Sequence, residues 1–553
     1  HQMNLAMGGA SGMGQTNRHR FADHTAWYHI LQSIDTTLAD SGAGTTANTD
    51  RHKVWVNGVR VTDWTTGWGG YVNGVIAEDY EGNWNKAHQH NIGCNQAASA
   101  NFFSGYMAEI HFLDGVHVTA ATDFGEFGDY GEWKPIETDG LTYGTNGYYL
   151  DFADSADLGK DVSGEGNHWT SVGFATHDQV LDTPTANFCT LNNKDKRTDL
   201  TLSEGSLKVV TTTGDWRSAR GTFSNSTGKW YYEVQMVTSV GDGVWSHGVV
   251  GVLKSSMEVD PNNIHLYDSA WGYETQGQTY NGSSAENTSL SAITAGDIIQ
   301  VAYDMDAGKI WWGVNNTWIL SGDPGAGSNA VYSNLSGAVN PYTDMQYSNS
   351  SGTFIFNFGQ DSSFAGTKTA QGNGASGDDF YYTPPSGFKS LKASNLPDPA
   401  VIPSEHFNTI LYTGNGVSGR AMTGVGFQPD LVWTKSRSDA YRHAITDALL
   451  GATNTLCTSS NAAISTDDVF DSFDSDGFTL GNDDASNYDT KTYVAWNWKA
   501  ASTASGTTGG SGTGKAYSAQ YNTDAGFSII AWIGNETVGH EIPHHLGAAP
   551  QMI

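Results

Sequence analysis

The sequence predicts an all-β protein built of tandem β-sandwich (jelly-roll) domains joined by short linkers. Three observations carry that prediction. Short runs rich in Val, Ile, Tyr, Trp and Thr recur along the chain, punctuated by Gly, Asn, Asp and Ser. Glycine is abundant, 67 of 553 residues, which suits many turns. Charged residues are only 15%, well below the roughly 25% of an ordinary domain, so the long polar faces of surface helices are scarce. Residues 22–36 form the one N-terminal stretch considered for a helix.

Taken in order, Lys53-Val-Trp-Val-Asn-Gly-Val-Arg-Val61 reads as a hairpin, because Asn57-Gly58 tolerates positive φ at both turn positions. Lys229-Trp-Tyr-Tyr-Glu-Val-Gln-Met236 and Ile298-Ile-Gln-Val-Ala-Tyr303 read as strands. Pro397, Pro399 and Pro403 exclude a central strand and mark a linker. Residues 500–514 read as a flexible Gly/Ser/Thr tether.

An internal repeat follows by direct comparison. Ile410-Leu-Tyr-Thr-Gly-Asn-Gly416 aligns with Ile530-Ala-Trp-Ile-Gly-Asn-Glu536. With one extra residue, Gly424-Val-Gly-Phe-Gln-Pro-Asp-Leu-Val432 aligns with His545-Leu-Gly-Ala-Ala-Pro-Gln-Met-Ile553. The second copy breaks off about a quarter of the way in. The expectation is an ordered piece of a longer, modular protein.

Charge and composition exclude several function classes. The net charge of −31 repels phosphate backbones, so no nucleic-acid partner is expected. No apolar run approaches the ~20 residues of a membrane helix, and no membrane insertion is expected. Cys94, Cys189 and Cys457 are too far apart and too few for a disulfide framework or a cysteine-built zinc site.

Three stretches resemble known families. His29-Ile-Leu-Gln-Ser-Ile-Asp-Thr-Thr37, Ile92-Gly93 and Phe103-Ser-Gly-Tyr-Met-Ala-Glu-Ile-His-Phe-Leu-Asp-Gly115 resemble a LamG-type, concanavalin A-like jelly roll. Gly228-Lys-Trp-Tyr-Tyr-Glu-Val234, Gly248-Val-Val-Gly-Val252, Trp271-Gly-Tyr273, Tyr280-Asn-Gly282, Trp311-Trp-Gly-Val314 and Phe356-Asn-Phe-Gly359 resemble a SPRY domain, in family order. Gly424-Val-Gly-Phe-Gln-Pro-Asp430, Phe473-Asp-Ser-Asp-Gly-Phe-Thr-Leu-Gly481 and Tyr493-Val-Ala-Trp-Asn-Trp-Lys499 resemble a phage tail repeat. The resulting organisation is 1–122, an N-terminally incomplete jelly roll; 123–185, a connector; 186–395, a SPRY-like sandwich; 404–500, a tail repeat module; 501–515, a linker; and 516–553, the start of a second repeat. The combination resembles tail-fibre or adhesin proteins of marine, cyanophage-like bacteriophages.

Candidate chemistry is thin. His540-Glu-Ile-Pro-His544 has the spacing of a zinc protease, which needs both histidines on one helical face. Pro543 breaks that helix, so the pattern is read as coincidence. Glu126, Asp129 and Glu132 lie three apart, which points neighbouring carboxylates to opposite faces of a strand and does not suit a glycosidase pair. Ser472-Phe-Asp-Ser-Asp-Gly477 has Ser where a calcium loop starts with Asp, and reads first as a turn; Ca²⁺ stays open as an alternative. The histidines His19, His24, His29, His52, His88 and His90 offer one alternate-position pair, His88 and His90, and read as loop residues. No catalytic or metal residues are assigned, and no cofactor. Trp245, Trp271, Tyr273 and Tyr280, set among Gly, Asn, Ser and Asp, are the ligand-binding candidates; the competing reading places them in the core.

The family resemblance implies a non-enzymatic structural protein of the virion surface, a tail fibre or adhesin binding host-surface polysaccharide or protein, and other virion proteins, as a homotrimer. The alternatives are a head-fibre or decoration protein that binds virion proteins, and a polysaccharide depolymerase.

Overall fold

The computed structural model describes residues 2–7, 13–21, 23, 25–39, 49–62, 64–68, 77–83, 85–87, 89–94, 102–138, 140–212, 214–238, 246–259, 262–347, 351–399 and 401–553. The architecture is all-β: antiparallel sheets throughout, and among the described residues a single four-residue α-helix, Asp484–Asn487. The chain divides into two units, residues 1–126 with 133–396, and residues 127–132 with 397–553.

In the first unit, Ile30–Ile34 lies within the stretch considered for a helix but is a strand, paired with His52–Val56. Cross-strand partners and β-branched Ile30 and Ile34 outweigh the weak local helix tendency. The Asn57-Gly58 hairpin forms, with φ of 47° and 75° and Val56 opposite Val59.

The centre of this unit is a sandwich of two seven-stranded sheets. One sheet runs Leu191–Lys196, Arg217–Gly221, Val339–Tyr347, Ser246–Lys254, Ala270–Glu274, Gln278–Tyr280 and Ala285–Glu286 in spatial order. The other runs Thr201–Ser203, Lys208–Thr211, Gly352–Asn357, Lys229–Met236, Ile298–Asp304, Lys309–Val314 and Thr317–Trp318. Trp230, Tyr232, Val234, Val250, Val252, Trp271, Tyr273 and Trp312 fill the space between them.

The Lys229–Met236 strand sets Trp230, Tyr232, Val234 and Met236 against Tyr231, Glu233 and Gln235, yet all seven are buried, because both its faces are covered. Its inner residues meet the opposite sheet, while Tyr231 on the outer face packs with Phe380 and Phe388. Glu233, fully buried, ties this covering segment down. Its carboxylate accepts from Tyr381 N–H (2.8 Å), Tyr382 N–H (2.7 Å), Tyr231 O–H (2.9 Å) and Asn357 Nδ2–H (3.2 Å). The outer face of the first sheet is covered likewise: Met257, Val259 and Ile264 pack on Val249, Leu253, Ala270 and Tyr342.

In the second unit, a five-stranded sheet (Phe407–Thr413, Thr492–Trp498, Leu431–Ser436, Ala444–Asp447, Leu456–Cys457) accompanies a three-stranded one (Arg420–Thr423, Gly477–Leu480, Phe470–Asp474). Val432, Phe470, Phe478, Tyr493 and Ala495 are among the buried residues of their core. Beyond it, Phe527–Trp532 and His540–Glu541 repeat Phe407–Thr413 and Arg420–Thr423 at an offset of about 120 residues. The turns repeat too. Gly416 and Glu536 have φ of 64° and 56°, Gly419 and Gly539 80° and 86°, Gly426 and Gly547 86° and 73°. Asn415 Oδ1 accepts from Val417 N–H and Asn535 Oδ1 from Thr537 N–H, both at 3.0 Å.

The segment 501–515, expected to be a flexible linker, is instead mostly strand. Ser502–Thr507 pairs with Ala516–Asn522, from Ser502 opposite Tyr521 to Thr507 opposite Ala516. A ladder needs backbone groups and a partner rather than large side chains. Small residues here make room for the partner's rings: a Cβ on Gly506 would stand 3.1 Å from the Tyr517 ring.

Candidate functional site

The strand Ala270–Glu274 sends alternate side chains to opposite faces. Trp271 and Tyr273 therefore point into the sandwich core, each 1% exposed. Trp271 Nε1–H donates to Asn334 Oδ1 (2.8 Å) and Tyr273 O–H to the Ser291 carbonyl (3.2 Å). Burial pushes the Tyr273 phenol up to about 12. Neither ring presents a face to solvent, so the core reading of the Trp-Gly-Tyr motif describes them. Trp245 lies outside the described residues. Tyr280 differs: it stands opposite Gly272 on the outer face and is half-buried.

Around Tyr280 the fold assembles a polar and aromatic cluster from segments far apart in sequence. Tyr280 O–H donates to Glu274 Oε2 (3.2 Å), and Glu274 Oε1 lies 2.5 Å from His247 Nδ1. His265 Nδ1 lies 2.8 Å from Asp344 Oδ2, whose other oxygen accepts from Ser218 O–H (2.9 Å). Trp216, half-buried, packs on His265 with centroids 4.1 Å apart and lies 5.8 Å from His247. His265 also meets the Tyr280 ring edge-on at 5.0 Å. Burial, then the Glu274 charge, holds the Tyr280 phenol well above its ordinary range.

Beside this cluster the space over Gly272 is filled: an added Cβ would stand 2.3 Å from Val249 Cγ1. It would also stand 2.7 Å from Tyr342 Oη, so the Tyr342 hydroxyl overlies that glycine. The hydroxyl is fully buried and has no hydrogen-bond partner. A buried hydroxyl in that state costs about 1–3 kcal/mol unless water or a ligand reaches it.

Ser218 and His265 both address Asp344, so the serine hydroxyl has its bond to the carboxylate and not to the imidazole base that nucleophilic catalysis requires. The cluster was illegible in sequence because four of its members, Trp216, His247, His265 and Asp344, come from separate segments whose pairing no local pattern encodes.

The remaining sequence candidates have structural employment. His540–Glu541 is a short strand paired with Gly509–Gly510, and no helix spans 540–544. Glu126 ends in a hairpin, Gly125–Phe127 with Trp133–Pro135, in whose turn Glu132 accepts from Tyr130 N–H. Asp474 accepts from Ser472 and Thr479 hydroxyls, and Asp476 from the Gly424 and Gly426 amides. Asp483 caps the helix at Ala485 N–H and pairs with Arg442. His24 and His88 lie outside the described residues. Among the described residues no three His, Cys, Asp or Glu side chains are placed to share a metal ion, and no helix is long and apolar enough to cross a membrane.

Comparison with known proteins bears on both units. Residues 229–359 match the family model of the SPRY domain, and residues 402–553 match a domain of unknown function, DUF7483. Among solved structures, the chain is similar to the SPRY domain of human HERC1 (17% identity, 30% of this chain and 96% of that one, TM-score 0.25). It is also similar to the TRIM65 PSpry domain (14%, 31% and 88%, 0.24) and to a human SPRY domain (17%, 29% and 94%, 0.22). No curated protein matches the chain. The two-sheet sandwich of the first unit thus holds the SPRY match, residues 229–359.

Proposed function

We propose that this chain is a non-enzymatic binding protein of a virion surface, a phage tail fibre or adhesin whose SPRY-type sandwich contacts host-surface polysaccharide. The observation that carries the reading is the outer-face cluster: half-buried Trp216 and Tyr280 beside the paired Glu274 and His247. An aromatic ring takes the C–H face of a sugar, while a few fixed polar groups orient its hydroxyls. Contacts of this kind are weak singly and gain strength by repetition on a particle; a homotrimeric fibre would supply it. The proposal includes no metal or cofactor. The phage setting rests on the resemblance of the tail repeat, including its second copy.

A second reading is a head-fibre or decoration protein that binds other virion proteins; the match to the SPRY family, whose members commonly bind protein, favours it. One experiment separates the two. The full chain is applied to host cells, to a panel of bacterial surface glycans and to purified virion proteins, beside Trp216→Ala and Tyr280→Phe. The adhesin reading expects saturable glycan binding, at least ten-fold weaker in Trp216→Ala with the melting temperature retained. Binding to virion proteins alone would replace it with the second reading.

A further inference from the structure

The two copies of the repeated strand are paired on opposite edges. In the first, Lys499 N–H donates to the His406 carbonyl (2.8 Å) and Gly414 N–H to the Lys491 carbonyl (2.7 Å), with Ile410 opposite Ala495. Antiparallel pairing alternates, so residues 408, 410 and 412 turn their backbone groups toward Thr492–Trp498. In the second, Ile533 N–H donates to the Ala516 carbonyl (3.2 Å), with Ile530 opposite Ala519. Here the odd-numbered residues turn toward Ala516–Asn522. Ile410 and Ile530 are equivalent in the repeat, so Thr492–Trp498 and Ala516–Asn522 occupy opposite edges of the same kind of strand.

From this we infer that the edge of Phe407–Thr413 facing away from Thr492–Trp498 is a strand-accepting site for an extended, uncharged segment of a partner protein. The equivalent edge of Phe527–Trp532 already holds such a segment, Ala516–Asn522, with sequence Ala-Tyr-Ser-Ala-Gln-Tyr-Asn. In the first copy that edge ends the sheet. Free edges are ordinarily guarded by charge or proline; Phe-Asn-Thr-Ile-Leu-Tyr-Thr has neither. Phe407 and Leu411 stand 40% and 59% exposed. Asn408 Oδ1 holds the Thr409 N–H (2.8 Å) and Arg420 the Thr413 carbonyl (2.5 Å), both side-chain bonds that an incoming backbone can replace. Recognition is strand addition: backbone bonds bind, and the register asks for a small residue opposite Ile410 and an aromatic opposite Tyr412, as Ala519 and Tyr517 stand opposite Ile530 and Trp532.

The test titrates the full chain into a fluorescent peptide with the sequence of residues 516–522 and into its scrambled form, following anisotropy. Leu411→Pro removes an N–H on the open edge and leaves the ladder to Thr492–Trp498 intact; Leu411→Lys installs a charged guard and keeps the N–H. Saturable one-to-one binding is expected, at least ten-fold weaker for the scrambled peptide and for both variants, with the circular dichroism spectrum retained. Absence of saturable binding, or equal binding by the variants, overturns the assignment. Self-association of the chain without peptide, lost in Leu411→Pro, would overturn it in favour of a second copy as occupant.

Discussion

Glu233 is a carboxylate with four donors, no exposure and, among the described residues, no cationic partner. Burial pushes it up to about 7 from its ordinary 4.5, and the bonds from Tyr382, Tyr381, Tyr231 and Asn357 only partly oppose this. The folded chain therefore binds a proton more tightly than the unfolded chain between those values. Stability from this group is full below about 4.5 and is lost as pH rises through 7, by about 3 kcal/mol in all. In thermal melts from pH 4.5 to 8, the wild-type melting temperature should fall more steeply than that of Glu233→Gln. The variant should also be less stable at pH 5, by about 1–3 kcal/mol, because its amide turns a donor toward the Tyr381 or Tyr382 N–H. Parallel pH profiles would refute the account. Asp182, likewise pushed up to about 7 by burial and held by Trp27 Nε1–H (2.9 Å), contributes equally to both chains, so the difference isolates Glu233.

Among elements, local signals were legible and pairings were not. Asn57-Gly58 announced its turn because positive φ is a property of the dipeptide. The Trp271 and Tyr273 alternation placed both on one face, but which face depended on the neighbouring strands. Tyr280 could be assigned to the outer face only through its register with Gly272. The strand Ser502–Thr507 was invisible for a related reason: Ser, Thr, Ala and Gly carry a tether's composition, and only the register with Ala516–Asn522 converts it into a ladder. Amide hydrogen exchange reads this directly. The pairing predicts protection of at least 100-fold at residues 504 and 506 of this edge strand and across 517–521, whereas a flexible tether would exchange at the free-peptide rate.

For the whole molecule, the two units have separate cores with no residue in common. Cooperativity follows shared burial, and each core is large enough to melt as its own transition. Calorimetry of the full chain should therefore resolve two transitions. Trp312, fully buried between the seven-stranded sheets, belongs to one; Phe478, fully buried in the second unit, to the other. Trp312→Ala and Phe478→Ala each delete a large ring at a cost of about 3–5 kcal/mol. Each should lower one transition by about 10 °C and leave the other within about 1 °C. A single transition shifted by both substitutions would mean that the units unfold as one, and that binding by the sandwich and strand capture by the repeat share a common stability. Two independent transitions would let each unit be altered without disturbing the other.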